Sequence, residues 1–357
     1  MPFTLAKTQQ DLNTAWFKDL LKHIGNGDAA AQLEQADVHP IGTGQMGFVV
    51  RAVLTFSGDG HGGPGSLIIK LASPDATARQ TGLALGIFQA EVNFYNEIAP
   101  LTEMTLPPCL FSAVDDEGWL TIVLADLSGE SAQGDVLKGG TPDQARHALG
   151  ELAKLQAPFW NRPDWQSKPW LSPASAAPLY DVPPLALDAF IERFGHALAP
   201  GQRAIFETVF ARSTLWFQAW SAPLTLTHGD FRLDNILLPI TDGAPPMVTI
   251  DWQTVKMGPP LIDVAYYLGA CLTTEARRSN EEDLLRHYQR YLAELGVDYP
   301  WEALWRDYRF AACYGVLLCA FAVKVPQTER GDQMFIQTAL RYADMAADLN
   351  SLALIDE

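Results

Sequence analysis

The stretch HGDFRLDN, residues 228–235, is the most informative part of the sequence. It follows the short apolar run PLTL, residues 223–226, and places Asp230 five positions before Asn235. In phosphoryl transfer this spacing lets a carboxylate orient an attacking hydroxyl while an asparagine carbonyl oxygen holds a metal ion against the phosphates. We therefore predict that Asp230 is the catalytic residue and that Asn235 is a Mg²⁺ ligand. The chain is predicted to be a phosphotransferase.

The second metal ligand is expected at the end of the next strand. The apolar run MVTIDWQ, residues 247–253, contains Asp251, which we predict to bind Mg²⁺ together with Asn235. The alternative for Asp251 is a buried structural acid. The sequence has IDW where protein kinases have DFG, so switching by a Phe-Gly pair is not expected. His228 is interpreted as a support of the loop rather than as a proton shuttle.

A glycine-rich segment precedes a strand-like run earlier in the chain. GTGQMG, residues 42–47, is followed by FVVRAVLTF, which favours a β-hairpin over the helix that opens a dinucleotide-binding fold. Glycine permits unusual dihedral angles and a close approach of the backbone to phosphates. The alternative is an ordinary glycine-rich turn. We predict that four residues of this loop bind nucleotide: Gly42, Thr43, Gly44 and Gly47.

A lysine interrupts the next apolar run, SLIIKLA, residues 66–72. A charged side chain such as Lys70 within an apolar strand needs an oppositely charged partner or a position facing a cleft. Nucleotide phosphates would supply that partner. Its carboxylate counter-ion is predicted to be Glu91 on the following helix, with Glu97 as the second candidate. The alternatives are a lysine that extends from an edge strand to solvent, and a solvated helix face for Glu91.

The remaining pattern divides the chain into a strand-rich and a helix-rich part. An amphipathic helix is predicted for residues 13–23, short strands between 38 and 71, and a helix over residues 77–98. Residues 119–127 have the pattern of an apolar strand, and residues 141–160 that of another amphipathic helix. Most of the sequence after that is helical in pattern.

This order predicts an α+β, bilobal, protein-kinase-like fold. Its small N-terminal lobe would hold an antiparallel sheet, and its larger C-terminal lobe would be mainly helical. We expect residues 1–126 to form the nucleotide-binding lobe with its leading helix, and residues 127–357 to form the catalytic and substrate-binding lobe.

Composition limits the partners that are expected. The formal charge of −17, from 25 basic and 42 acidic residues, argues against nucleic acid, because its binding depends on lysine and arginine. The four cysteines show no metal-ligand spacing, and no apolar run is long enough to span a bilayer. A cytoplasmic protein without membrane insertion is therefore expected; the oligomeric state is not predicted.

Taken together, HGDFRLDN and the later IDWQTVKMGPPLIDVAYYL resemble the aminoglycoside phosphotransferase and choline kinase-like superfamily. The resemblance is greatest to its ecdysteroid-kinase-like and related bacterial branches, and it includes GTGQMG, EVNFY and ELAKLQAPFW. It implies transfer of the ATP γ-phosphate to a small-molecule hydroxyl. It also implies that Lys70 binds phosphate beside Glu91 and that Asp263 braces the catalytic loop.

The resemblance also implies that adenine contacts the backbone of a connector that includes Ala125 and Leu127. Two residues depart from the family pattern. Ala125 stands where relatives commonly have glutamate, and Gln156 stands where a histidine is common. Neither position is among the predicted metal ligands, so the departures bear on nucleotide docking rather than on catalysis.

The acceptor is expected to be a small hydroxylated molecule bound by the helical part. A sterol-like, lipid-like or other metabolic alcohol is preferred over an aminoglycoside, because no concentrated acidic C-terminal segment is present. A catalytically idle nucleotide-binding sensor or scaffold, and a protein kinase, are the alternatives. Aromatic residues are expected to line an apolar acceptor pocket, and the candidates are Trp160, Trp165, Trp170, Tyr266, Tyr267, Trp301, Trp305 and Tyr314.

Overall fold

A five-stranded antiparallel sheet carries the predicted nucleotide-binding residues. The computed structural model describes residues 3–42, 47–172, 181–220 and 223–355. The strands of this sheet are β1 (Leu33–Gly42), β2 (Gly47–Phe56), β3 (Ser66–Ala72), β4 (Cys109–Val114) and β5 (Leu120–Ala125). They lie in the order β1-β2-β3-β5-β4, and each neighbouring pair is antiparallel.

Side-chain alternation in β3 explains where Lys70 points. Leu67, Ile69 and Leu71 are fully buried on one face of the sheet, so Lys70 projects from the other face because successive side chains alternate. The buried face is covered by α1 (Thr14–His23) and α2 (Gly27–Gln32). The predicted N-terminal helix is confirmed.

The segment after β3 is broken into shorter helices. A single helix over residues 77–98 was expected, but the structure has α3 (Ala76–Ala84), α4 (Ile87–Asn93) and a π-helical turn over Phe94–Ile98. Gly86 separates α3 from α4 with a φ of 69°, a left-handed conformation that glycine adopts at low cost. The break redirects the chain so that α4 carries Glu91 into the interior.

Short strands in the second part of the chain position the motif of residues 228–235. They are β6 (Ser131–Gln133), β7 (Thr225–Thr227), β8 (Ile236–Pro239), β9 (Val248–Thr249) and β10 (Lys256–Gly258). β7 pairs with β10, and β8 lies between β6 and β9. The loop that carries Asp230 therefore begins at one small sheet and ends at the other, which fixes both of its ends.

Helices form most of the remaining chain. They are α5 (Pro142–Gln156), α6 (Pro163–Gln166), α7 (Val182–Phe194), α8 (Pro200–Ala211), α9 (Ser213–Gln218), α10 (Leu261–Cys271), α11 (Thr274–Glu294), α12 (Trp301–Ala311), α13 (Cys313–Leu318) and α14 (Glu329–Asp348). Every residue of α10 is buried, so this helix is the centre of the helical core. No helix within the described ranges is long and apolar enough to cross a membrane.

The predicted α+β fold is confirmed, with an antiparallel sheet in the N-terminal part and helices in the C-terminal part. The expected division between residues 126 and 127 falls directly after β5 and stays a prediction. All four cysteines are free thiols, and Cys271, Cys313 and Cys319 are buried in the helical core. Burial raises the pKa of each of these three thiols.

Candidate active site

Asp263 holds the start of the catalytic-loop candidate, residues 228–235. Its carboxylate accepts hydrogen bonds from the backbone N–H groups of His228 at 2.7 Å and Gly229 at 2.9 Å. Gly229 has a φ of 82°, and a Cβ there would lie 2.9 Å from the carbonyl oxygen of Thr254. The loop therefore depends on a glycine at this position and on a carboxylate at the beginning of α10.

His228 ties this loop to the segment before Asp251. Its Nδ1 accepts a hydrogen bond from the backbone N–H of Asp230 at 3.2 Å. Since Nδ1 is the acceptor, a neutral ring carries its proton on Nε2, which lies 3.0 Å from the carbonyl oxygen of Ile250 and donates to it. The ring is fully buried. This arrangement favours support of the loop, as the sequence suggested.

Three side chains surround the carboxylate of Asp230. Its Oδ1 accepts from the hydroxyl of Tyr266 at 3.0 Å and forms an ion pair with Nε of Arg232 at 3.2 Å. Its Oδ2 accepts from Nδ2 of Asn235 at 2.9 Å. Because the amide nitrogen of Asn235 faces Asp230, its carbonyl oxygen is the atom left to bind a cation. Asp230 and Asn235 therefore have separate roles available to them.

Asp251 lies just beyond β9 in a conformation that is uncommon for an aspartate. Its φ of 66° places it in the left-handed region, where residues other than glycine are sparse and functional sites are over-represented. Burial acts to raise the pKa of this carboxyl, but the nearby ammonium of Lys70 outweighs burial and the pKa is lowered. Asp251 is thus held as a carboxylate at neutral pH.

Lys70 joins two carboxylates from different parts of the chain. Its Nζ lies 2.7 Å from Oε2 of Glu91 and 2.8 Å from Oδ1 of Asp251. Burial acts to lower the pKa of Lys70, but the charges of Asp251 and Glu91 prevail and raise it. Glu97, the second candidate for this pairing, instead lies 2.5 Å from Nζ of Lys168. Of the two glutamates considered, Glu91 is therefore the one in contact with Lys70.

The residues present fit a magnesium ion. Mg²⁺ prefers hard oxygen ligands and is usually held by one or two carboxylates together with substrate phosphates and water. Asp251 supplies a carboxylate and Asn235 a carbonyl oxygen. Within the described ranges, no group of three or more His, Cys, Asp or Glu side chains could hold a metal ion by itself. A cation held by these two residues would need phosphate oxygens to complete its ligands.

The predicted glycine loop is described only at its two ends. Gly42 is the last residue of β1, and Gly47 is the first residue of β2. A Cβ on Gly47 would lie 2.4 Å from the carbonyl oxygen of Leu71 in β3, so the sheet accepts only glycine here. Thr43 and Gly44 lie outside the described residues. The sheet thus explains Gly47, and its contact with a nucleotide stays a prediction.

The connector after β5 has backbone groups beside the five-stranded sheet that carries Lys70. The N–H of Ala125 donates to the carbonyl oxygen of Pro108 at 2.9 Å. The carbonyl oxygen of Leu127 accepts from the N–H groups of Glu130 at 3.0 Å and Ser131 at 2.8 Å. Among the residues that the structure describes, the N–H of Leu127 makes no backbone hydrogen bond, and the contact of Leu127 with adenine stays a prediction.

Trp252 fixes the segment that follows Asp251. Its fully buried ring stacks on Phe94 with a centroid separation of 3.7 Å and lies 4.6 Å from the ring of His228. Phe94 directly follows α4, which carries Glu91. The tryptophan of IDW therefore packs between the helix that holds Glu91 and the catalytic-loop candidate, where it limits movement of the two against each other.

Comparison with known proteins agrees with this geometry. Residues 196–297 match the ecdysteroid kinase-like family model. The matched segment contains Asp230, Asn235, Asp251 and Asp263, so it covers the catalytic-loop candidate and the metal-ligand candidates. No curated protein compared with the chain matches it.

Solved structures extend the likeness to most of the chain. An ethanolamine kinase from Plasmodium vivax is 12% identical, with 97% of this chain and 92% of that chain covered and a TM-score of 0.52. A choline kinase from Cryptosporidium parvum is also 12% identical, with coverage of 89% and 91% and a TM-score of 0.55. A microcompartment-associated aminopropanol kinase is 13% identical, with coverage of 89% and 94% and a TM-score of 0.54. The predicted kinase-like fold is confirmed, and the predicted resemblance to the ecdysteroid kinase-like family holds for residues 196–297.

Two contacts of Asp230 were not anticipated from the sequence. Arg232 flanks the motif in sequence, where it could equally pair with Asp234 or with nearby backbone, and in the structure it forms an ion pair with Asp230. Tyr266 was considered only as a residue of the acceptor pocket, and it donates its hydroxyl to Asp230. The tyrosine is 36 positions away in the sequence, and no local pattern signals that contact.

The aromatic cavity of the helical part also differs from expectation. A cavity of about 220 Å³ is lined by Trp216, Phe217, Trp220 and Tyr314. Of the eight aromatic residues proposed from the sequence, only Tyr314 lines this cavity. Trp301 and Trp305 instead stack on each other. Helical spacing in the sequence cannot distinguish aromatic residues that line a cavity from those in the core, because both kinds of position have apolar surroundings.

Proposed function

We propose that the chain is an ATP-dependent phosphotransferase that moves the γ-phosphate to a hydroxyl group of a small molecule. The observation that carries the proposal is the convergence of three separate segments on one site. Asp230 and Asn235 come from one loop, Asp251 comes from the end of β9, and Lys70 comes from the sheet. The family match over residues 196–297 supports the same class of enzyme.

Asp230 would align the acceptor hydroxyl and take up its proton. The acceptor oxygen forms a bond to the γ-phosphorus, the bond from that phosphorus to the β–γ bridging oxygen breaks, and ADP leaves. Tyr266 and Arg232 fix the orientation of the carboxylate before the reaction. Most of the rate enhancement in this chemistry comes from positioning and electrostatic stabilisation, so a preset carboxylate is an advantage.

Asn235 and Asp251 would hold Mg²⁺, which neutralises charge on the β- and γ-phosphates when it is bound. The lowered pKa of Asp251 keeps this ligand deprotonated at neutral pH. Lys70 would contact the phosphates, with Glu91 holding its side chain in place.

Nucleotide binding would use the sheet and the connector after it. Backbone groups of Gly42, Thr43, Gly44 and Gly47 would lie over the phosphates, and those of Ala125 and Leu127 would contact adenine. Residues 1–126 would then form the nucleotide-binding lobe, and residues 127–357 the catalytic and substrate-binding lobe.

For the acceptor, we propose a metabolic alcohol with an apolar body, sterol-like or lipid-like in character, in preference to an aminoglycoside. The aromatic cavity near the catalytic-loop candidate supports an apolar acceptor. The similar solved proteins are named as kinases of ethanolamine, choline and aminopropanol, which makes amino alcohols the second class to examine.

The test is an ADP-release screen over sterols, hydroxylated metabolites, amino alcohols and aminoglycosides, with Asp230→Ala as the blank. We expect at least one acceptor to give ADP release in the original chain and none in the variant. Nucleotide binding by both proteins without turnover on any acceptor would contradict the proposal and support an idle nucleotide sensor. Equal turnover by both proteins would contradict the role of Asp230.

A further inference from the structure

The cavity beside the catalytic-loop candidate combines aromatic walls with a positive charge. It has a volume of about 220 Å³ and lies between α9, α13 and the turn that joins β10 to α10. Trp216, Trp220 and Tyr314 supply aromatic walls, Ile262 an aliphatic one, and Lys256 a charged side chain. An ammonium in such surroundings is expensive unless a counter-charge or acceptor is present.

Tyr314 connects this cavity to Asp230. Its hydroxyl donates to the carbonyl oxygen of Gly229 at 2.8 Å, and its ring lies 5.7 Å from the ring of Tyr266. Tyr266 in turn donates to Asp230. Lys256 lines the cavity from β10, in register with Thr227, the residue directly before the catalytic-loop candidate. A molecule bound in the cavity would therefore lie next to the residues that position Asp230.

Two hydrogen-bond donors at the cavity have no acceptor among the residues that the structure describes. The indole N–H of Trp220 is buried and finds no partner in the part of the chain that the structure describes. Lys256 is half-buried, and its ammonium makes no hydrogen bond to the described residues either; burial lowers its pKa, and the charge of Asp263 acts in the opposite direction. Trp216, by contrast, donates its N–H to the carbonyl oxygen of Phe310 at 3.0 Å.

Both unpaired groups can donate and neither can accept. The buried indole N–H of Trp220 costs free energy without an acceptor, and a ligand that supplies the acceptor removes this cost. The ligand must therefore present oxygen acceptors, and an anionic oxygen suits the ammonium best. If the cavity had only aromatic walls, a ligand with a quaternary or primary ammonium group would suit it. Here the positive charge of Lys256 would repel such a ligand.

We propose that this cavity binds the non-reacting end of the acceptor, and that this end is an apolar ring carrying a carboxylate or a similar anionic group. The inference rests on the proposed phosphotransferase function, because it takes the ligand to be the acceptor. An apolar cavity of about 150 Å³ holds one benzene molecule. The present cavity is thus large enough for one substituted ring, and a larger acceptor would extend from it towards Asp230.

The experiment compares three probes that share one benzyl alcohol body. They are 4-(hydroxymethyl)benzoate, benzyl alcohol and 4-(aminomethyl)benzyl alcohol, and their affinities are measured by calorimetry without nucleotide. We expect the anionic probe to bind about tenfold more tightly than the neutral one, as a charged hydrogen bond allows. The cationic probe should bind most weakly. Any other order in the original chain, or no binding of the anionic probe, would overturn the proposal.

A second comparison assigns the preference to Lys256. Lys256→Met should reduce the affinity for the benzoate probe about tenfold while changing that for benzyl alcohol less than about twofold. The matched control is Lys138→Met, an exposed lysine, which should retain the original order. An unchanged preference in a folded Lys256→Met variant, judged by its melting temperature, would overturn the assignment.

These measurements are independent of phosphate transfer. Asp230→Asn should bind the probes in the same order but should phosphorylate them far more slowly than the original chain does. If the probe order holds and no acceptor is ever phosphorylated, the cavity assignment survives and the proposed function fails. If phosphate transfer occurs but cationic acceptors bind better, the proposed function survives and the anionic class is wrong.

Discussion

The Asp230 carboxylate is positioned before any substrate arrives, because Tyr266, Arg232 and Asn235 all contact it. We expect Asp230→Asn to lower kcat by about 10²- to 10⁴-fold, the usual contribution of a positioned general base. Nucleotide affinity should change less than about twofold. Asp234→Asn, on the same loop, is the matched control and should keep its activity. Steady-state kinetics and nucleotide titration measure both quantities; loss of activity in both variants would contradict a specific role for Asp230.

In the described part of the chain, Lys70 is the only cation that forms ion pairs with Glu91 and Asp251. Removing one partner of a buried ion pair costs about 3–5 kcal/mol, so Lys70→Met should lower the free energy of unfolding by that order at pH 7. Urea unfolding measures the loss. The double variant Lys70→Met with Glu91→Gln should recover part of it, because one buried carboxylate is then neutral.

Removing the cation should change how stability depends on pH. In the original chain the pKa of Asp251 is lowered, so its stabilisation is present above the ordinary pKa of 3.8 and is lost as pH falls through the lowered value. Burial already raises the pKa of Glu91 in the original chain, and in Lys70→Met, without the cation, burial should raise the pKa of both carboxyls. The folded variant then binds more protons than the unfolded chain, and it should become more stable as pH falls from 7 to about 5. A variant that loses stability over this interval would contradict the expectation.

At the scale of elements, α10 acts on the site through one residue near its start. Asp263 accepts from two backbone N–H groups of the loop, and an asparagine would replace one acceptor with a donor. We expect Asp263→Asn to cost about 1–3 kcal/mol of stability and to lower kcat, with little change in nucleotide affinity. Asp307→Asn, a buried carboxylate that binds Tyr299, is the control and should affect stability alone. Equal kcat values in the two variants would contradict positioning by Asp263.

Local patterns predicted most elements because their causes are local. Asn13 caps α1 with its side chain, and β3 alternates buried and part-buried positions along its length. Gly86 was overlooked because an isolated glycine within a helical pattern does not necessarily break it. Within the site, Asp230 and Asn235 could be paired because they are five positions apart. The contact of Tyr266 with Asp230 depends on how α10 packs, which no short segment encodes.

At the scale of the whole molecule, the site is formed where the sheet-bearing part meets the helical part. The order of strands and helices was enough to predict this arrangement, since that order limits how the chain can be connected. The acceptor cavity was not predictable in the same way. Trp216 and Trp220 look like any helix-spaced aromatics, and only the position of α9 against α13 brings them to Tyr314. The fold was therefore accessible from sequence, whereas the position of this cavity required the assembled structure.

The contact between Lys70 and Asp251 joins the two parts directly, because one residue belongs to β3 and the other follows β9. A ligand that binds both should stabilise the whole molecule, by about 2.7 kcal/mol when its concentration is 100 times its Kd. We therefore expect ATP with Mg²⁺ to raise the melting temperature of the original chain more than ATP with EDTA does. Asp251→Asn should abolish this difference, because the metal loses its carboxylate ligand, whereas Asp242→Asn in an exposed turn should retain it. A magnesium-dependent shift that persists in Asp251→Asn would place the metal elsewhere and leave Asp251 as a structural partner of Lys70.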